Sequence, residues 1–108
     1  MLEFRETDLF TRQIVSLLTD DEYAELQSAL ILQPAAGDRI EDSGGLRKLR
    51  WSQRRRTKGK RGGIRVIYYG YVSGSLIYML FAYSKDEQDD LTARQKKVLA
   101  ALIKKELK

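Results

Sequence analysis

The chain of 108 residues carries 20 Lys or Arg against 15 Asp or Glu, a net charge of +5, and 43% of its residues are hydrophobic. The absence of cysteine excludes disulfides and thiolate chemistry, and the absence of histidine removes the commonest general base and metal ligand. The length favours one domain over 1–108, and no apolar run is long enough to span a membrane. Because the polar N-terminus is unlike a secretory signal, we expect a cytoplasmic protein. We also expect no metal or other cofactor.

Hydrophobic periodicity predicts a strand and two helices in the first third of the chain. Residues 1–6 alternate between apolar and charged side chains, which is typical of a short strand. Thr7 is a candidate cap for the first helix. Thr19 and Glu22 have the capping-box spacing for the second helix, which Pro34 ends. The apolar stripes of the two helices are Phe10, Ile14, Leu17 and Leu18, and then Tyr23, Leu26, Ala29 and Leu30.

Three strands and a last helix follow a glycine-containing connection over 35–45. The last helix begins near Thr92, which has a capping-box partner in Gln95. The order β-α-α-β-β-β-α predicts an α+β domain in which a small antiparallel sheet packs against helices. The predicted strands are 46–51, 64–72 and 76–83, with a basic loop at 52–63, a hairpin turn at 73–75, and an apolar helix face made of Val98, Leu99, Leu102 and Ile103.

Half of the basic residues lie between Arg47 and Arg65, a stretch without any acid, and the rest of the chain has a net charge of −5. Such a concentration of like charge repels itself, and a polyanion lying against it would relieve the repulsion. The charge continues from the loop into the strands at Lys48, Arg50 and Arg65, where strand geometry fixes the direction of each side chain. We therefore expect a cationic surface that binds a nucleic-acid backbone. A solvated loop is the competing interpretation of the arginine run 54–56.

Glycines and aromatic rings accompany the basic segment. Gly59, Gly62 and Gly63 either present backbone N–H groups to anions or serve only as turn residues. Among the aromatic residues near these strands, Tyr83 at a strand end is the best candidate to stack on a base. The acids over 86–90 favour the start of a helix, or pairing with the basic loop, over a Mg²⁺ site.

Three segments form a more specific pattern: GGLRKLR at 44–50, KGKRGGIRVIYY at 58–69, and Tyr-Ser-Lys at 83–85 before an acidic stretch and Leu-Thr at 91–92. This pattern resembles the RelE/HigB toxin superfamily of bacterial toxin–antitoxin pairs, and its HigB-like branch most closely. The resemblance implies one RelE-like toxin domain with the element order given above. It also implies a ribosome-dependent endoribonuclease that cuts mRNA in the A site of the 30S subunit, and a cognate antitoxin that silences it.

The resemblance also assigns site residues. The lysines on the second strand of RelE correspond to Lys48 and Arg50, and its third-strand arginine corresponds to Arg65. Its later arginine and tyrosine have no counterpart in this chain, and Tyr83 and Lys85 are the nearest substitutes.

Metal-free RNA cleavage requires a base for the 2′-OH, positive charge for the transition state and an acid for the leaving oxygen. Arg65 is the candidate for transition-state charge, and Lys48 is the candidate general base or electrostatic helper, since crowding by like charges favours a neutral amine. Lys85 or Tyr83 is the candidate acid. The residues expected to bind RNA are Arg47, Arg50, Arg54, Lys58, Lys60 and Arg61.

Two alternatives remain at this point. A ParE-like toxin would share the fold and poison DNA gyrase, with no reason to align Lys48, Arg50 and Arg65. A non-enzymatic RNA- or DNA-binding module would show salt-dependent affinity and no cleavage.

Overall fold

The computed structural model describes residues 2–52, 63–71 and 75–106, which form a five-stranded mixed sheet and three helices. The predicted α+β class is therefore confirmed. In the described ranges no helix has both the length and the apolar character needed to cross a bilayer. The helices are α1 (Asp8–Leu17), α2 (Asp20–Leu32) and α3 (Ala93–Glu106), and the strands are β1 (Glu3–Glu6), β2 (Asp38–Arg39), β3 (Leu46–Trp51), β4 (Ile64–Tyr71) and β5 (Leu76–Ser84).

The sheet differs from the expected antiparallel arrangement in two respects. Its strand order is β1-β5-β4-β3-β2, and β1 pairs with β5 in parallel. Along the chain, α1 and α2 follow β1 and precede the other strands. The connection over 35–45 also contains a strand that was not predicted. The two residues of β2 pair with Arg47 and Lys48 at the other edge of the sheet.

One face of the sheet packs against α1 and α2. Thr7 caps α1 by accepting a hydrogen bond from the amide of Phe10, and Thr19 and Glu22 form the predicted capping box of α2. Pro34 follows the end of α2, as predicted. The buried residues of this face are Phe10, Ile14, Leu18, Leu26, Leu30, Ile64, Val66, Tyr68, Ile77, Met79 and Ala82.

The opposite face packs against α3. Thr92 and Gln95 exchange the hydrogen bonds of the predicted capping box at the start of this helix. Leu99 and Ile103 are buried, but Val98 is 60% exposed, so its assignment to the apolar face was wrong. The helix thus buries a narrower stripe than the sequence suggested. The buried residues of this face are Leu46, Ile67, Tyr78, Leu80, Tyr83, Leu99 and Ile103.

A β-bulge interrupts the pairing of β4 with β5. Ile67 pairs with Phe81 and Tyr68 pairs with Met79, so Leu80 has no partner on β4. Side chains at and within α1 satisfy the backbone here: the Thr7 hydroxyl donates to the carbonyl of Leu80 at 2.9 Å, and the Gln13 amide oxygen accepts from the N–H of Ala82 at 2.8 Å. Leu80 and Phe81 therefore both face α3, and the alternation of β5 is reversed after Leu80.

Candidate nucleic-acid interface

Arg50, Arg65 and Tyr83 form a row across three neighbouring strands. Arg50 on β3 lies opposite Arg65 on β4, and Arg65 lies opposite Tyr83 on β5. Lys48 is two residues from Arg50 and so projects from the same face of β3, the face that α3 covers. Leu49 packs on the other face, against the core formed with α1 and α2. The predicted alternation of β3 is therefore confirmed, and Lys48, Arg50 and Arg65 share one face.

Arg65 is the innermost cation of this row. It is only 8% exposed, and its Nη1 donates to the carbonyl of Ile64 at 3.3 Å. A guanidinium remains protonated even when it is buried, so Arg65 fixes a positive charge inside the site. Electrostatic interactions are stronger there than in water, because the surroundings have a lower effective dielectric constant.

Tyr83 is buried beside Arg65 with its hydroxyl group unpaired. The residue is 3% exposed, its ring centroid lies 5.9 Å from that of Phe81, and its hydroxyl oxygen has no hydrogen-bond partner among the described residues. Burial, reinforced by the charge of Asp90 and opposed by that of Arg65, raises the pKa of Tyr83 to about 12. At neutral pH the hydroxyl group of Tyr83 is therefore protonated.

This burial corrects one prediction from the sequence. Tyr83 was expected to offer a free ring for base stacking, and that was wrong, because the bulge at Leu80 turns Tyr83 toward α3 and into the core of that face. The role of proton donor requires only the hydroxyl group, and it remains a prediction.

Lys48 forms an ion pair with Asp90 in the segment before α3. Lys48 Nζ lies 3.0 Å from Asp90 Oδ1, and the backbone N–H of Leu91 donates to the same oxygen at 2.8 Å. The hydrogen bond from Lys48, followed by that from Leu91, lowers the pKa of Asp90. As the cationic member of an ion pair, Lys48 fits the electrostatic role better than that of general base. Sequence reasoning did not single out Asp90 as a site residue, although it expected the acids over 86–90 either to start a helix or to pair with the basic loop; the partner of Asp90 is Lys48 on β3.

A groove of about 420 Å³ opens beside this ion pair, between the β2–β3 edge and the start of α3. Lys96 on α3 closes one side of the groove, where its Nζ donates to the carbonyl of Glu41 at 3.0 Å. The groove combines cationic side chains with a few acidic ones and with the first turn of a helix. Its lining residues are Asp38, Arg39, Ile40, Glu41, Lys48, Arg50, Asp90, Leu91, Ala93 and Lys96.

Arg47 lies apart from the other strand cations. Its Nη1 donates to the carbonyls of Gly37 at 2.7 Å and Ala35 at 3.4 Å. Since alternation directs Arg47 and Lys48 to opposite faces of β3, Arg47 supports the loop before β2 on the face of α1 and α2. The structure thus separates Arg47 from the row, although the sequence grouped it with the RNA-binding residues.

Lys85 stands at the end of β5, next to the point where the chain enters β4. Its backbone N–H donates to the carbonyl of Gly63 at 3.0 Å, and its Nζ lies 3.5 Å from Asp89 Oδ1. Gly63 has a φ of 63°, and a Cβ there would collide with the carbonyl of Trp51, so turn geometry accounts for this glycine. Arg54, Lys58, Lys60 and Arg61, together with Gly59 and Gly62, lie outside the described residues.

Two of the four acids that follow β5 form ion pairs with lysines. Asp90 pairs with Lys48 and Asp89 with Lys85, and in the ranges 2–52, 63–71 and 75–106 no three acidic side chains converge to hold a metal ion. In a comparison with models of known protein families, none matches this chain.

Proposed function

We propose that this chain is a metal-independent, ribosome-dependent mRNA endoribonuclease, a toxin of the RelE/HigB type that an antitoxin protein silences. The observation that carries the proposal is the row of Arg50, Arg65 and Tyr83, with Lys48 on the same face. The row agrees with the resemblance of the three sequence segments, which by itself says nothing about side-chain direction. A cationic row beside an open groove fits an RNA backbone better than it fits a neutral ligand.

Each residue of the row suits one task in RNA cleavage. Arg65 can hold two phosphoryl oxygens of the pentavalent transition state through its planar fork of donors. Lys48 adds positive charge beside the phosphate, and Arg50, which is exposed, binds a neighbouring phosphate. Tyr83, whose pKa is raised to about 12, keeps its proton at neutral pH and can pass it to the 5′-leaving oxygen. Lys85 is the second candidate for that acid.

The site contains no histidine, so the proton of the 2′-OH has to leave to solvent water, and cleavage of free RNA should be slow. One well-placed acid or base contributes about 10²–10⁴ to a rate, whereas a rigidly held substrate geometry contributes several further orders of magnitude. A ribosome that holds the mRNA in the A site would supply this geometry. We therefore place the substrate on the translating ribosome. An antitoxin with an acidic segment over the row would switch the enzyme off by charge complementarity.

The test is primer extension on an mRNA under translation and on the same mRNA without ribosomes. The wild-type chain should cut the translated message near the A site and leave the naked message nearly intact. Arg65→Gln should lower cleavage by about 10²–10³, the usual cost of removing one transition-state donor. Arg12→Gln, which removes an exposed arginine from α1 on the opposite side of the sheet, is the matched control and should cut normally.

Because Arg65 is buried, its substitution can also destabilise the fold. Thermal unfolding of both variants therefore shows whether a loss of cleavage comes from unfolding. Full cleavage by the folded Arg65→Gln variant would show that Arg65 has no role in the reaction. Equal cutting of translated and naked mRNA would disprove the ribosome requirement. Salt-dependent binding without any cleavage would favour the non-enzymatic module, and a DNA-damage response without arrest of translation would favour a gyrase poison.

A further inference from the structure

The Asp90 carboxylate accepts hydrogen bonds from two donors beside the row. Asp90 Oδ1 accepts a hydrogen bond from Lys48 Nζ at 3.0 Å and another from the backbone N–H of Leu91 at 2.8 Å. The positive charge of Arg65 also stabilises the ionised carboxylate. Three positive or donor groups from three different segments, β3, β4 and the turn before α3, thus act on one acidic side chain.

These donors are of the kind that bind phosphate. An ammonium group and a backbone N–H are common partners of phosphate oxygens in nucleic-acid complexes, and an arginine fork is another. A carboxylate offers the same kind of anionic oxygen acceptor on a smaller group. The neighbouring Tyr83 hydroxyl supplies an independent sign that the site is incomplete, since it is buried without a hydrogen-bond partner among the described residues. Buried hydroxyl groups are usually satisfied, and exceptions occur at functional sites.

We propose that the Asp90 carboxylate occupies a subsite for a phosphodiester group of RNA, and that RNA displaces it from Lys48 and from the Leu91 N–H on binding. The inference rests on the proposed function for the choice of RNA as the polyanion. It adds that, in the absence of RNA, the side chain of Asp90 fills the subsite.

The exposure of Asp90 makes this displacement feasible. The Asp90 side chain is 66% exposed, so rotation about its own side-chain bonds carries the carboxylate into water without disturbing the core. Partly exposed ion pairs are weak, and a phosphodiester held by several contacts along a strand can replace one. In the free protein the Asp90 carboxylate neutralises part of the positive charge of Lys48 and Arg65. It therefore weakens the binding of RNA that the ribosome does not hold in place.

The test compares two substitutions that change the net charge equally. Asp90→Asn keeps the size of the side chain and an oxygen that can accept from Leu91, but it removes the negative charge. Asp89→Asn is the matched control, because Asp89 is 94% exposed and pairs with Lys85 at 3.5 Å outside the groove. The probe is a fluorescent 2′-O-methyl RNA oligonucleotide, which lacks the attacking hydroxyl, and binding is followed by fluorescence anisotropy at one fixed salt concentration.

Asp90→Asn should bind the oligonucleotide about fivefold more tightly than wild type, the factor that corresponds to one partly exposed ion pair. Asp89→Asn should change the affinity by less than about twofold. In a Lys48→Met background the gain from Asp90→Asn should disappear, because the donor that both anions share is gone. Addition of the oligonucleotide to wild type should also shift the amide resonance of Leu91 in a ¹H–¹⁵N correlation spectrum.

Equal effects of the two aspartate substitutions, or a gain that persists without Lys48, would overturn the subsite while leaving the nuclease proposal intact. Binding that responds to Asp90 without cleavage on ribosomes would overturn the nuclease and leave the subsite standing. Absence of oligonucleotide binding in every variant would overturn both.

Discussion

The two faces of the sheet treat buried tyrosines differently. On the face of α1 and α2, the hydroxyl of Tyr68 donates to the carbonyl of Pro34 at 2.8 Å and accepts from the N–H of Gly37 at 2.9 Å. On the face of α3, the hydroxyl of Tyr83 has no such partner in the described part of the chain. Both residues are at most 3% exposed. Tyr68 and Tyr83 are therefore buried to the same extent, and they differ in whether the hydroxyl group is hydrogen-bonded.

This difference separates a face whose buried tyrosine is fully paired from one whose buried tyrosine has no partner among the described residues. An unsatisfied buried polar group costs about 1–3 kcal/mol, so a core optimised only for stability would pair it or replace it with phenylalanine. The α1 and α2 face follows this rule. The α3 face does not, and the exception stands in register with Arg65 and Arg50. Four experiments test this contrast.

The largest effect on stability should come from the face of α1 and α2. Phe10 is fully buried there, and Phe10→Ala should lower the free energy of unfolding by about 3–5 kcal/mol, through lost burial and the cavity left behind. Urea denaturation measures the change. Cleavage per folded molecule should stay normal, and a selective loss of cleavage would show that the two faces are not separable.

Removing one oxygen atom from each tyrosine compares the two faces directly. Tyr68→Phe should cost about 1–3 kcal/mol, because it leaves the buried N–H of Gly37 without its partner. Tyr83→Phe should leave stability unchanged or raise it, while slowing cleavage of the translated message. Urea denaturation and primer extension give the two readouts. Equal costs of the two substitutions would mean that Tyr83 has a structural hydrogen bond after all.

Alkaline pH should weaken the fold through its buried tyrosines. The pKa of Tyr83 is raised to about 12, and burial also raises the pKa of Tyr68, so above pH ~10 the folded chain holds more protons than the unfolded one. This contribution to stability is complete below pH ~10 and is lost as the pH rises through the folded pKa values. The free energy of unfolding should therefore fall as the pH is raised from just below the ordinary tyrosine pKa of about 10 to the Tyr83 pKa of about 12.

The same titration in Tyr83→Phe isolates the contribution of that residue. Its unfolding free energy should fall less steeply with pH than that of wild type, since one raised tyrosine pKa has been removed. An identical slope would show that Tyr83 is exposed to solvent in solution.

The smallest effect on stability should come from Lys85. Its ion pair with Asp89 is exposed, and Lys85→Met should change the free energy of unfolding by less than about 0.5 kcal/mol. Cleavage then distinguishes the two candidate acids. Unchanged cleavage in Lys85→Met together with slow cleavage in Tyr83→Phe would assign the proton donor to Tyr83, and the reverse result would assign it to Lys85.

Local patterns in the sequence predicted the elements well. The caps at Thr7, Thr19 and Thr92 were predictable because capping depends on residues within one turn. The alternation in β3 was predictable because a strand turns each successive side chain to the other face, and it correctly placed Lys48 and Arg50 together. The turn at 73–75 lies outside the described residues except for Ser75.

Features that depend on distant segments were not predictable in the same way. The parallel pairing of β1 with β5 joins residues more than seventy positions apart, and no local signal encodes it. The pairing of Lys48 with Asp90 spans 42 positions and emerges only when α3 docks beside β3. The burial of Tyr83 depends on the bulge, which leaves no mark in the composition of β5 because Leu80, Phe81 and Tyr83 are all good strand residues.

The bulge determines which side chains at the end of β5 lie on the face of the row. If β5 kept its length but paired regularly, Leu80 would lie opposite Ile67 and Ala82 opposite Arg65, so Ala82 would face the cations and Tyr83 would face α1. The hydrogen bonds that hold the inserted residue come from Thr7 and Gln13, at and within a helix on the far side of the sheet. A helix that contributes no residue to the row therefore helps to determine which residue of β5 lies opposite Arg65, and changes in that helix would alter the row without contacting it.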